Sequence, residues 1–256
     1  MRLGMAQIRG PRVIFRPCAV VPTFDNPRTI GPVVEALARE LPVVVVDDGS
    51  CKASQDVLDD LVFRGVARVR RHDRNRGKGA AVKTGLNAAR DLGYSHALQV
   101  DADGQHDLGD VPRFLAAARA APGSLILGQP VFDASVPAAR LRGRKVSIFW
   151  TTLETGGRSI IADPLCGFRV YPVEQALRVG ARGDRMEFDP EIAVRMVWDG
   201  TPVVNLATRV RYLSPEDGGV SHFRMFRDNV RISWGHTRMC SLAIVRLLTF
   251  RGLGAP

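Results

Sequence analysis

The sequence lacks any apolar run reaching the roughly 18–20 residues needed to cross a bilayer. Its first stretch, MRLGMAQIRGPRVIFRP, has no sustained apolar segment of the kind a secretory signal carries. Cysteine is scarce, and Cys18, Cys51, Cys166 and Cys240 lie far apart with no C-x-x-C pair. That argues against a disulfide-stapled scaffold and a thiolate metal site, and fits reduced thiols in the cytoplasm. Low-complexity tracts and internal repeats are missing, as is any stretch resembling an RNA-recognition or helix-turn-helix module. Nor is there a P-loop: in RNRGKGAAVKTG, Gly77-Lys78 is followed by Gly79 rather than Ser or Thr. The same stretch is no G-x-G-x-x-G dinucleotide fingerprint.

What the chain does have is positive charge. A formal net charge of +10 over 256 residues points to an anionic partner, either nucleic acid, an acidic membrane face or a phosphorylated ligand. The missing recognition modules disfavour nucleic acid. The length suffices for one large domain with a proper core.

Apolar runs alternate with helical patterns. Strands are expected at CAVVP (18–22), VVVV (43–46), ARVRR (67–71) and HALQV (96–100). Helices are expected over 30–41, 57–63, 79–92 and 111–120. This alternation predicts an α/β fold, with a mostly parallel sheet covered by helices on both faces. Beyond Leu125 the pattern loosens. LILG reads as a strand, ADPLCGFRVYP as a loop with a short strand, 189–198 as a helix and PVVNLATRVRYL as strand material. The tail from Phe223 is helical in pattern.

In such sheets ligands bind beyond the carboxyl ends of the strands. The unusual polar clusters fall there: PTFDN after the first strand, DDGS after the second and DADGQH after the fourth. Asp101 and Asp103 alternate along an extended chain, so both carboxylates can face one ligand. With Gln105 they form a hard-oxygen set suited to Mg²⁺ or Mn²⁺ rather than zinc. The bland alternative, a turn capping the following helix, explains one aspartate and not the pair. Asp47 and Asp48 read either as acceptors for a ribose or base edge or as a turn satisfying free amides. Arg76, Lys78 and the amides of the adjoining helix start are candidates for a diphosphate. Asp163 and Arg169 flank a glycine turn, the first as a possible base and the second as a phosphate or carboxylate partner. Asp189, followed by Pro190, has the pattern of a helix N-cap, against which any catalytic role must be weighed.

The tail carries six arginines against one aspartate. Phe223, Phe226, Val230 and Trp234 share one helical face, with Arg224, Arg227 and Arg231 beside them. That pattern reads as a basic amphipathic helix on an anionic membrane surface. The alternative is a helix packing its aromatic face onto the domain.

Taken in order and spacing, VVPTFDN, VVVVDDGS, NRGKGAAVKTG, DADGQH and CGFRVYP resemble the family 2 glycosyltransferases of the GT-A fold. The likeness runs from about Cys18 to His222. It is strongest to the branch with dolichyl-phosphate mannosyltransferase and bacterial polyprenyl-phosphate sugar transferases. The resemblance implies a GT-A, Rossmann-like domain over 1–222 and a basic amphipathic segment over 223–256. It implies an enzyme that moves a sugar, with inversion, from a GDP- or UDP-linked donor to a lipid-linked or other membrane-proximal acceptor at the inner face of the cell membrane. It places Pro22, Thr23, Asp47, Asp48, Lys78, Asp101, Ala102, Asp103 and Arg169 around the donor. Asp101, Asp103 and Gln105, the D-x-D set, would hold Mg²⁺ or Mn²⁺. Asp163, then Asp189, is the candidate base if the acceptor is a hydroxyl.

Where relatives often carry Gly-Ser-Arg, this chain has Gly128-Gln129-Pro130, so Arg142 or Arg144 is expected to supply the arginine. Where they show Gly-x-Ser-Lys it has Gly219-Val220-Ser221-His222, leaving Arg224 or Arg227 to take the lysine's place. The Q-x-x-R-W motif of processive synthases is missing. Two rival readings are a sugar nucleotidyltransferase, disfavoured because PTFDNPR replaces its G-x-G-x-R-x-x-P-x-x-K loop, and a nucleotide-binding protein without transferase activity.

Overall fold

The computed structural model describes residues 14–132, 136, 138–212 and 225–249. The amino-terminal half alternates strictly: β1 (Pro17–Thr23), α1 (Ile30–Ala38), β2 (Val43–Asp47), α2 (Lys52–Phe63), β3 (Arg68–Arg71), α3 (Lys78–Asp91), β4 (His96–Gln99), α4 (Val111–Ala120) and β5 (Leu125–Phe132). Then follow α5 (Ala138–Glu154), β6 (Arg169–Pro172), α6 (Val173–Arg178), α7 (Phe188–Trp198), β7 (Val203–Val210) and α8 (Met225–Leu248).

The seven strands form one sheet, ordered β3-β2-β1-β4-β6-β5-β7. The four strands from β3 to β4 run parallel, as do β5 and β7, while β6 lies antiparallel between β4 and β5. Side chains alternate across the pleat, so β1 sends Cys18 and Val20 into one core and Ala19 and Val21 into the other. Helices cover both faces, which is why the valine run of β2 is buried throughout.

From β1 the chain winds outward through β2 and β3, then returns to the far side of β1 as β4. The loops leaving β1 and β4 therefore diverge and open a crevice at the carboxyl ends of the strands. On the opposite flank an isolated antiparallel bridge joins His106 to Val210, and Arg211 N donates to Gln105 O. The loop after β4 is thereby stitched to the end of β7.

Besides the short α6, which no sequence pattern announced, two elements depart from the sequence expectation. The helix over 138–154 has no counterpart there, because its outward positions mix Val146, Phe149 and Leu153 with Arg142 and Lys145, and its inner side carries Ser147 and Thr151. No clean apolar stripe results. The second departure is Asp189, which does not cap α7. Glu187 holds the N-cap position, and Asp189 lies in the first turn with its carboxylate turned to Lys78.

Helix α8 also packs differently from the pattern that suggested it. Its buried stripe is Asp228, Ile232, His236, Met239 and Ala243, whereas Val230 and Trp234 are 54% and 70% exposed. Met239 and Ala243 share a core cluster with strand residues Val20 and Leu127. A buried contact, His236 Nδ1 to Glu154 Oε1 at 2.9 Å, ties α8 to α5. Phe223, Arg224 and the 219–222 stretch lie outside the described residues, as does the side chain of Phe226.

Candidate active site

The crevice is a cleft of about 710 Å³, walled by the ends of β1, β2 and β4, the start of α3, and one side each of α5 and α8. Its rim is built by loops that brace one another. Asp25, in the left-handed region at φ 51°, accepts from Cys51 N at 2.7 Å, and its own N–H donates to Ser50 Oγ. Thr29 Oγ1 donates to Ala102 O at 2.6 Å, which ties the first loop to the D-x-D segment. Pro22 and Thr23 line the cleft, and the buried Thr23 Oγ1 has no partner among the described residues.

The two aspartates that end β2 part company. Asp47 accepts from Ser50 N at 2.9 Å and lies 3.5 Å from Arg71, away from the cleft lining. Asp48 does line the cleft, but its carboxylate is already occupied. It contacts His72 Nδ1 at 2.6 Å, Arg76 N at 2.9 Å and Gly77 N at 2.7 Å, and the far ring nitrogen of His72 reaches Thr84 Oγ1. Asp48 thus fixes the loop that starts α3. Gly77 sits there at φ 109°, and a Cβ would meet Asp184 O at 2.3 Å, so only glycine fits.

That loop delivers Lys78 to the floor. Its Nζ is 2.8 Å from Asp101 Oδ2 and 2.8 Å from Asp189 Oδ2. Burial pulls the Lys78 pKa down, but Asp101 and then Asp189 outweigh it and raise the value overall. For Asp101 burial works upward, and the Lys78 ammonium overcomes it, holding the carboxyl below its ordinary range. The other oxygen, Asp101 Oδ1, is buried with no partner among the described residues. Asp103 accepts from Gln105 N at 3.1 Å, and both side chains line the cleft.

This donor set suits a hard divalent cation. Asp101 offers an orphaned buried oxygen, Asp103 a second carboxylate and Gln105 an amide oxygen. Among the described residues no group of three His, Cys, Asp or Glu forms a cation cage, so a bound ion would complete its shell with ligand and water oxygens.

The remaining candidates separate cleanly. Asp189 lines the cleft. Asp163 lies beneath it, both oxygens within 2.7 Å of Arg144 Nη1 and one accepting from Leu165 N. It is Arg144, not Asp163, that reaches the lining. Arg169 is fully buried and does not line the cleft. Its guanidinium donates to the carbonyls of Pro164, Cys166 and Asp189. Expected at the donor, it serves the loop that carries Gly167 instead. Sequence reasoning named Arg144 as a substitute arginine but missed His72, Arg185, Tyr212 and, on α5, Gly143 and Ser147. His72 sits 24 residues from Asp48, and nothing local marks the pair.

Comparison with known proteins bears on the fold and the family. The profile of "Glycosyl transferase family 2" matches residues 18–174. The chain is 25% identical over 206 residues to an uncharacterized protein of Methanocaldococcus jannaschii, covering 76% of this chain and 87% of that one. It is 27% identical over 207 residues to the dolichyl-phosphate beta-glucosyltransferase of Dictyostelium discoideum, covering 74% and 62%. Among solved structures, glucosyl-3-phosphoglycerate synthase from Mycobacterium tuberculosis, in complex with Mn²⁺, UDP-glucose and phosphoglyceric acid, superposes with a TM-score of 0.66. It is 15% identical, with 89% of this chain and 80% of that one covered, and shares the fold. A GT-A sheet matched by the family profile across most of its strands leads to one conclusion: the chain belongs to glycosyl transferase family 2 and is a glycosyltransferase.

Proposed function

We propose that the enzyme transfers a sugar from a nucleoside-diphosphate donor to an anionic, membrane-proximal acceptor, with Asp101, Asp103 and Gln105 holding Mg²⁺ or Mn²⁺. The observation that carries this reading is the buried, unpartnered Asp101 Oδ1 beside Asp103. When bound, the cation supplies charge to the departing diphosphate. The acceptor oxygen bonds to the anomeric carbon as the carbon–oxygen bond to the diphosphate breaks, and the nucleoside diphosphate leaves. The chain's own part is electrostatic and positional. Lys78 and the first amides of α3 face the site of developing negative charge. Asp48 fixes their loop, and Arg144 adds a cation from α5.

A phosphate acceptor attacks as an anion without a base. A hydroxyl acceptor needs one, and Asp189 is the carboxylate placed on the lining to take its proton. Support for a lipid-phosphate acceptor comes from the relatives' names, which include dolichyl-phosphate glucosyltransferase and dolichyl-phosphate N-acetylglucosaminyltransferase. It also comes from Arg144, Arg227 and Arg231 around the cleft. Asp103→Ala is expected to lose Mn²⁺-dependent stabilisation by UDP or GDP and to lower turnover at least about 100-fold, with the fold retained. Normal transfer by this variant would refute the site.

Membrane proximity draws on α5 and α8. Val146, Phe149 and Leu153 on α5 and Val230 and Trp234 on α8 are each more than half exposed. The same two helices wall the cleft. Among the described residues no helix is long and apolar enough to cross a membrane, so this face would lie on the surface, with Arg142, Lys145 and Arg227 toward anionic headgroups. The double variant Phe149→Ser/Trp234→Ser is expected to sediment with phosphatidylglycerol vesicles at least about tenfold less than wild type. Equal sedimentation would end the membrane reading. Deleting α8 is a poorer test, since it strips Met239 and Ala243 from the core.

A further inference from the structure

One contact on the cleft floor stands where the proposed chemistry would place something else. The Lys78 ammonium bridges Asp101 and Asp189 at 2.8 Å each, with side-chain exposures of 15%, 22% and 4%. Two carboxylates close enough to share one ammonium would repel each other without it. Lys78 therefore supplies, beside Asp101, the positive charge that a divalent cation would bring. Of the two Asp101 oxygens only Oδ1 is left for such an ion, beside Asp103 and Gln105, and among the described residues no group of three His, Cys, Asp or Glu forms a cage. An ion approaching Asp101 and Asp103 alone would meet an ammonium already seated on Asp101.

We propose that Lys78 is a charge placeholder, neutralising Asp101 and Asp189 in the donor-free cleft and turning from Asp101 to the donor's diphosphate when cation and diphosphate arrive together. The inference rests on reading the cleft as a nucleotide-sugar site. The diphosphate contributes the oxygens the protein lacks and a new partner for the ammonium, so cation binding and donor binding become mutually dependent. The backbone need not move. Asp48 holds Arg76 N and Gly77 N at 2.9 and 2.7 Å, and Lys78 is the first residue of α3. A side-chain rotation at a fixed helix start is enough. Asp189, 2.8 Å away, keeps hold of the ammonium as it turns.

The test titrates Mn²⁺ alone into the full chain and counts free ion by electron paramagnetic resonance. Lys78→Gln, whose amide still donates to a carboxylate, is expected to bind Mn²⁺ without nucleotide at least about tenfold tighter than wild type. Lys78→Arg, which keeps the charge, is expected to stay as weak as wild type. Equal affinity in Lys78→Gln and wild type, or equal tightening in both variants, overturns the placeholder. If Lys78→Gln does not fold, Lys78→Arg decides by itself. Its forked grip on two carboxylates is expected to weaken Mn²⁺-dependent UDP retention in equilibrium dialysis at least about tenfold, and wild-type retention would overturn the proposal. Wild type is dialysed against UDP with and without Mn²⁺ as a separate arm. No gain in UDP retention there removes the donor-site reading itself, whatever the variants do.

Discussion

Gly167→Ala is expected to lose transfer activity by at least about 100-fold, the scale of a misplacement near 1 Å in a catalytic constellation. An ideal Cβ on Gly167 would lie 2.1 Å from Asp101 Oδ2 and 2.4 Å from both Cγ and Oδ1. The three nearest atoms all belong to that carboxylate, so it must swing aside to make room. Asp101 would then release Lys78 and withdraw its orphaned oxygen from the proposed cation position. The stability cost is expected to stay within about 1–3 kcal/mol, as for other overpacked sites. The measurement pairs initial rates of nucleotide-sugar turnover with a melting curve. Activity within a few-fold of wild type would show that the Asp101 carboxylate is not where transfer is organised.

The second large effect concerns stability. Arg169→Met is expected to cost about 3–5 kcal/mol, because the buried carbonyls of Pro164, Cys166 and Asp189 lose one charged donor together. Methionine fills much of the volume but satisfies none of those oxygens. In a chain of this size the melting temperature should fall by roughly 10 °C, read by calorimetry or by urea unfolding. The guanidinium is fully buried, so the loss comes from the fold rather than from a missing contact to ligand. A variant as stable as wild type would show that the 164–169 loop does not depend on it.

These two predictions mark where sequence reading and structure diverge. Arg169 and Asp163 stand in one short stretch, and each is a credible phosphate partner or base by residue type. Their directions decide otherwise. In β6, Arg169 pairs in register with Gln99 and Leu127 at the centre of the sheet, so its guanidinium is spent on buried carbonyls and on Tyr171 rather than on the cleft. Asp163 is spent on Arg144, an arginine 19 residues earlier on a helix that the pattern did not reveal. Asp48 lies on the cleft lining, yet its partner His72 comes from the end of another strand, which only the sheet brings near.

The sequence by itself determined the alternating architecture, because runs of period 2 and 3.6 are local and need no partner to be seen. It also determined that three polar loops share one rim, since parallel strands point their carboxyl ends the same way. It marked Asp101, Asp103 and Lys78 by residue type and spacing. Only the tertiary structure decided which charges meet. Lys78 finds Asp189 across 111 positions, and α8 turns Val230 and Trp234 outward because its other face fits the core. Ion pairs and exposed faces depend on distances of a few ångströms between segments remote in sequence, and no local pattern encodes those distances.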